Sequence, residues 1–252
     1  MIIDVHAHWG PWFFTGLGTP NLAVMDRYGI DVAIVSATEA VTYDPATGNR
    51  ALASFLETAP DRLLGYVTVH PGRLDQAERD LRALLPTNRF VGAKIHTDYT
   101  GCPITSPQLR DALVMLAELD CPALVHTWDT SVLDLAQHCA DLPRLRAIAG
   151  HMGAGGHRHA VAAARSCDRL FLEPSWSHGL AGRMDEVIAA VDPRQLLFGT
   201  DATLIDPASA FGILAAARPD PLTAERIAWR NAADLFNLPA PHRTPRRIQV
   251  RG

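Results

Sequence analysis

The chain opens MIIDVHAHWG (residues 1–10), a short apolar run of strand length that carries Asp4, His6 and His8. Strand side chains alternate with period 2, so Asp4, His6 and His8 are expected on one face and Ile3, Val5 and Ala7 on the other. In a buried strand the apolar set should pack outward against helices, leaving the polar set inside, where it needs partners. Two imidazoles two residues apart can reach one cation, or they can be hydrogen-bonded core histidines. The pattern alone leaves these two readings level.

Seven similar runs follow: VAIVS (32–36), LGYVTVH (64–70), FVGAKIH (90–96), PALVHT (122–127), LRAIAGH (145–151), RLFLEP (169–174) and QLLFGTD (195–201). Between most of them lie stretches with helical periodicity, such as LDQAERDLRALL (74–85), QLRDALVMLAEL (108–119) and MDEVIAAV (184–191). Alternating strands and helices imply parallel pairing through crossover helices. Eight such units in about 250 residues match a (β/α)8 TIM barrel, so the fold class is α/β, with one barrel domain over residues 1–238. An open doubly wound sheet is the rival. Residues 239–252, PAPHRTPRRIQVRG, read as a basic tail with no acidic residue.

The 252 residues are 48% hydrophobic and 20% charged, with a net charge of −4, as in a soluble globular protein with a full core. No basic stripe suggests nucleic acid, and no apolar run suggests a membrane span. The start lacks the features of a signal peptide, and Cys102, Cys121, Cys139 and Cys167 form no CxxC pair. Reduced thiols and a cytoplasmic location are expected.

His8, His70, His96, His126 and His151 each fall at or beside the end of a run, and Asp201 closes the eighth. In a barrel these ends converge on the face that carries active sites. Histidine nitrogens and a carboxylate are the ligands that catalytic zinc prefers. Trp9, Trp128 and Trp176 follow strand ends and are candidate pocket walls, while Lys94 and His96 share a strand face. The glycine-rich turn after His151, MGAGGH, can present N–H groups to an anion or serve only as a tight turn.

The ordered set DVHAH, LVHTWD, AGHMGAGG and LFGTDA resembles the amidohydrolase superfamily. The likeness is to its amidohydrolase-2 branch, which includes aminocarboxymuconate-semialdehyde decarboxylase-like enzymes and small lactone and amide hydrolases. PDRLLGYVTVHP (60–71) and RNAADLFNL (230–238) extend it nearly end to end. The resemblance implies that His6, His8, His126 and Asp201 hold one divalent metal, zinc with manganese or iron as alternatives. It also implies that Asp201 and His151 handle protons, with Asp4 a supporting partner. Some superfamily members carboxylate a strand-four lysine as a bridge between two metals. In this branch Lys94 is expected instead to bind a substrate carboxylate or pair with Asp4.

The resulting expectation is hydrolysis of a small ester, lactone or amide by metal-activated water. The alternative is non-oxidative decarboxylation of an unsaturated or aromatic acid at the same site. Relatives with that activity grip a carboxylate with an arginine, and Arg50 lies in the right region. A small-molecule substrate and a homodimer complete the expectations.

Overall fold

The alternation of apolar runs and helical stretches folds into a parallel sheet wound in sequence order. The computed structural model describes residues 1–12, 21–175 and 182–239. Its strands are β1 (Ile3–Trp9), β2 (Val32–Ala37), β3 (Leu63–Thr68), β4 (Phe90–Ile95), β5 (Ala123–His126), β6 (Ala147–Gly150) and β7 (Leu170–Glu173). Each pairs in parallel with the next, and helices connect them on the outside, as a right-handed βα succession requires.

The eighth run closes the ring without forming a regular strand. Leu196 bridges Leu172, and Ala202 bridges Ala7, both in parallel. Leu197 N–H donates to the Leu172 carbonyl at 3.0 Å, Val5 N–H to Phe198 at 2.9 Å, and Asp201 N–H to His6 at 2.7 Å. Asp201 lies in the left-handed region at φ 58°, which breaks the extended conformation of a ladder. The expected strand is therefore an irregular seam that joins β7 to β1.

Two apolar layers result. Alternate strand residues such as Val35, Val67, Ile95, Val125 and Leu172 pack against helix residues such as Leu52, Leu81, Leu109 and Leu135. The others, Ile3, Val5, Ile34, Tyr66, Leu124, Ile148 and Leu197, fill the barrel interior. They meet Ala232, Leu235 and Phe236 from the closing helical segment. Burying one such aliphatic side chain contributes roughly 1.5–3 kcal/mol.

Ile3 and Val5 thus face inward, contrary to the expected phase of β1. The cause is a register shift: Asp4 pairs with Ala33 but Ala7 with Val35, so β1 carries one extra residue between them. A bulge of this kind re-aims the side chains beyond it. Below it Val5 enters the apolar interior, and above it His6 and His8 face inward as well. Asp4 turns to the seam, where its carboxylate takes over ladder hydrogen bonds. It accepts from His6 N–H at 3.0 Å, from Thr200 N–H at 3.1 Å and from Thr200 Oγ1 at 2.5 Å.

Among the described residues, no helix is long and apolar enough to cross a membrane. All four cysteines are free and buried. The tail from residue 240 onward and Trp176 lie outside the described residues.

Candidate metal centre

At the C-terminal end of the barrel five imidazoles form a continuous cluster. Ring centroids are 5.4 Å apart for His6–His8, 4.8 Å for His6–His151, 4.6 Å for His126–His151 and 4.0 Å for His96–His126. His6, His8 and Asp201 each present one atom, and these atoms lie within 4.8 Å of one another. Asp201 Oδ1 is 3.0 Å from His8 Nε2 and 3.5 Å from His6 Nε2. His126 stands one ring away, and its Nε2 is 3.5 Å from Asp98 Oδ2.

The partners of these rings fix their protons. His6 Nδ1 lies 2.6 Å from Glu173 Oε2. Glu173 also receives Ser175 N–H, Ser175 Oγ–H and His151 N–H. His6 carries its proton on Nδ1 and keeps a lone pair on Nε2, because the Lys94 ammonium that faces Nε2 can only donate. Lys94 Nζ donates to that lone pair at 2.8 Å.

The same logic runs through His151. Its Nδ1 faces the Ser175 carbonyl at 3.0 Å, which can only accept, so Nδ1 donates. Its Nε2 then accepts from His126 Nδ1 at 3.0 Å. His126 Nε2 is left as a lone pair, and it is buried with no hydrogen-bond partner among the described residues. His8 Nδ1 is 2.9 Å from Ser36 Oγ.

Burial sets the charge states. It pushes the Glu173 carboxyl up to about 8 and Asp4 up to about 7. It also draws the Lys94 ammonium down to about 8, His151 to about 4 and His96 to about 2. His6, His8 and His126 are lowered by burial too, and further by Lys94 and, for His6 and His126, by the neighbouring imidazoles. Burial would raise Asp201, but the hydrogen bond from His8 and the charges around it win and hold it below its usual range.

Neutral imidazoles with inward lone pairs beside a carboxylate are the donor set of a divalent ion. The buried Nε2 of His126 belongs to a second group of donor atoms, with His96 and Asp98, that adjoins this one through the His151 ring. The residues that orient His6, His8 and His126 complete the pattern, since metal-binding histidines usually anchor their second nitrogen.

Several expected site residues sit elsewhere. Trp9 points out of the barrel and stacks on Phe55 at 4.6 Å, because the phase that brings His8 inward turns its neighbour outward. Trp12 meets His8 instead, edge-on at 4.9 Å. His70 accepts from Gly72 N–H at 3.0 Å, capping a short turn. Arg50 is exposed and donates to Thr47 on its own helix at 3.2 Å. Lys94, the only lysine in the sequence, contacts His6 rather than Asp4.

Trp128 does line the cluster, stacked on His151 at 5.3 Å, and His96 stacks on His126. In the glycine-rich turn, Gly156 leaves room for the Asp129 carboxylate, which a Cβ there would approach to 2.9 Å. Glu173, fully buried, is a site residue absent from the expected set, although it stands at the end of its run just as Asp201 does. Gly199 makes room for it: a Cβ there would collide with the Glu173 carboxylate.

Comparison with known proteins places this arrangement. No curated protein sequence matches the chain. Among the solved structures that share its fold, three align over 94% of this chain each. The 2,6-dihydroxybenzoate decarboxylase from Rhizobium is 18% identical, with 98% of its chain covered and a TM-score of 0.73. The 5-carboxyvanillate decarboxylase from Sphingomonas paucimobilis is 15% identical, with 98% covered and a TM-score of 0.75. A dihydroxybenzoic acid decarboxylase from Polaromonas, solved with manganese and the inhibitor 2-nitroresorcinol, is 17% identical, with 97% covered and a TM-score of 0.74. The family model described as Amidohydrolase matches residues 3–238, nearly the whole chain, and the protein belongs to that family.

Proposed function

We propose that the protein is a zinc-dependent hydrolase of a small ester, lactone or amide. His6 Nε2, His8 Nε2, His126 Nε2 and Asp201 would hold the ion. When bound, a divalent ion lowers the pKa of water and polarises a carbonyl oxygen. Glu173 orients His6 so that its lone pair is on Nε2, which Lys94 would release to the ion, and Ser36 anchors His8. His151 does the same for His126 through the bond between their rings.

The observation that carries this reading is the donor chain that runs from His126 through His151 to the Ser175 carbonyl and leaves the ionised Asp201 beside His6 and His8. His151 has its N–H committed to the Ser175 carbonyl and presents Nε2 as an acceptor. Asp201 is likewise held ionised. His151 takes up a proton only by releasing His126, whereas Asp201 can accept one from water directly, as hydrolysis requires. Arg50, turned toward Thr47, offers no grip for a substrate carboxylate.

Decarboxylation is the second reading, favoured by the names of the three structural relatives, which at 15–18% identity share the fold. The test is a panel of esters, lactones, amides and aromatic carboxylates given to zinc-loaded protein, with acid release and CO2 followed together. Hydrolysis of a neutral ester or lactone is expected. CO2 from a carboxylate, with every hydrolysable compound left intact, would overturn the proposal.

A further inference from the structure

We infer that Asp98 is a substrate-recognition residue, whose carboxylate at the mouth of the cluster accepts a hydrogen bond from an O–H or N–H group on a flat, unsaturated substrate. The inference rests on the hydrolase reading of the site and narrows its substrate class.

Asp98 follows β4 on the short helix Thr97–Thr100, beside His96. Its side chain is 58% exposed, yet it is anchored. Trp128 Nε1–H donates to Oδ2 at 3.0 Å, and Thr97 Oγ1 approaches Oδ1 at 3.4 Å. Oδ2 lies 3.5 Å from His126 Nε2, so the carboxylate borders the donor set itself. A carboxylate has about four acceptor positions and no proton to give. Two donors leave it with acceptor positions open on its exposed side.

Aromatic rings surround this acceptor. Trp128 lies parallel to His151 at 5.3 Å and edge-on to His126 at 4.8 Å. Tyr99 lies over His96 at 4.3 Å, and Trp12 stands 4.9 Å from His8 and 6.4 Å from Tyr99. Rings arranged this way favour a planar guest, by offset stacking or edge-to-face contact. A planar frame carrying a hydroxyl or amide N–H satisfies both features. Its methyl ether would strip water from Asp98 and return no donor, the kind of mismatch that gives strong rejection.

The test compares resorcinol with 1,3-dimethoxybenzene by calorimetry on zinc-loaded wild type, Asp98→Ala and Asp98→Asn. Zinc uptake is read first, so that failure of the metal site and failure of the Asp98 assignment give different results. Wild type should bind resorcinol about tenfold tighter than the ether, the scale of one charged hydrogen bond at a partly exposed site. Asp98→Ala should bind the two alike with zinc content and melting temperature unchanged, and Asp98→Asn should fall between. Equal affinities in wild type, no binding of either probe at millimolar concentration, or a ratio that survives in Asp98→Ala overturns the inference. So does loss of zinc in Asp98→Ala, which would make Asp98 a ligand, or a wild type that takes up no zinc.

Discussion

Replacing Lys94 with methionine should tighten zinc binding at neutral pH. Lys94 is fully buried, and its Nζ sits 2.8 Å from His6 Nε2, the atom proposed to hold the ion. A zinc ion about 2.1 Å from that nitrogen would lie within roughly 5 Å of the ammonium. At an effective dielectric constant of about 20, a double and a single positive charge at that distance repel by roughly 7 kcal/mol. The lysine has an easier escape. Burial has already drawn its pKa down to about 8, so giving up the proton at pH 7 costs about 1.4 kcal/mol. The smaller figure governs, and it corresponds to about a tenfold change in affinity. Methionine is similar in length and carries no charge, so Lys94→Met removes this penalty. The gain should shrink as pH rises through 8 and vanish near 9, where the wild-type lysine is already neutral. Competition against a chromophoric chelator at pH 7 and pH 9 measures it. Binding weakened tenfold in Lys94→Met would refute the reasoning and point to a lysine that supplies a ligand, as a carboxylated side chain does.

Three further outcomes follow from the same contacts. Metal-free protein should lose melting temperature between pH 7 and pH 5, because His6, His8, His96, His126 and His151 are held neutral and charge only on unfolding. Each removes up to about 1.4 kcal/mol per pH unit below its unfolded pKa. Asp4 and Glu173, with raised folded values, act in the opposite sense over this range, but five imidazoles outweigh two carboxyls; a melting temperature that rises in acid would contradict this. Asp4→Asn places an amide donor against Thr200 Oγ1 and backbone N–H groups, so urea unfolding should show a loss of about 1–3 kcal/mol together with weaker zinc binding. His151→Ala should keep most of its zinc while turnover on the best substrate falls by about 10²–10⁴, and full activity there would remove His151 from proton transfer.

The barrel was legible because each strand carries its own evidence in apolar length and flanking turns, and because histidines recur where strands end. What escaped had causes beyond local pattern. The bulge in β1 is a mismatch of one residue against β2, and no residue type in IDVHAHW announces it; strict alternation therefore put Ile3 and Val5 on the wrong side. Trp9 was misplaced by reading proximity to a strand end as proximity to the pocket, although its neighbour His8 already faces in. Glu173 stands at the end of RLFLEP as Asp201 stands at the end of QLLFGTD, and carrying the strand-end reading through to the seventh run would have found it. Asp98 could not be found that way. Its significance comes from the Trp128 indole, which lies thirty positions along the chain and meets it only in the folded barrel.

The central claim is that the barrel's C-terminal face holds one catalytic ion on His6, His8, His126 and Asp201. Metal analysis of zinc-loaded, desalted protein tests it most directly, with wild type and His8→Ala measured side by side and folding confirmed by circular dichroism. One equivalent of zinc is expected in wild type and essentially none in folded His8→Ala. A folded wild type without zinc, or a His8→Ala variant that retains a full equivalent, would contradict it.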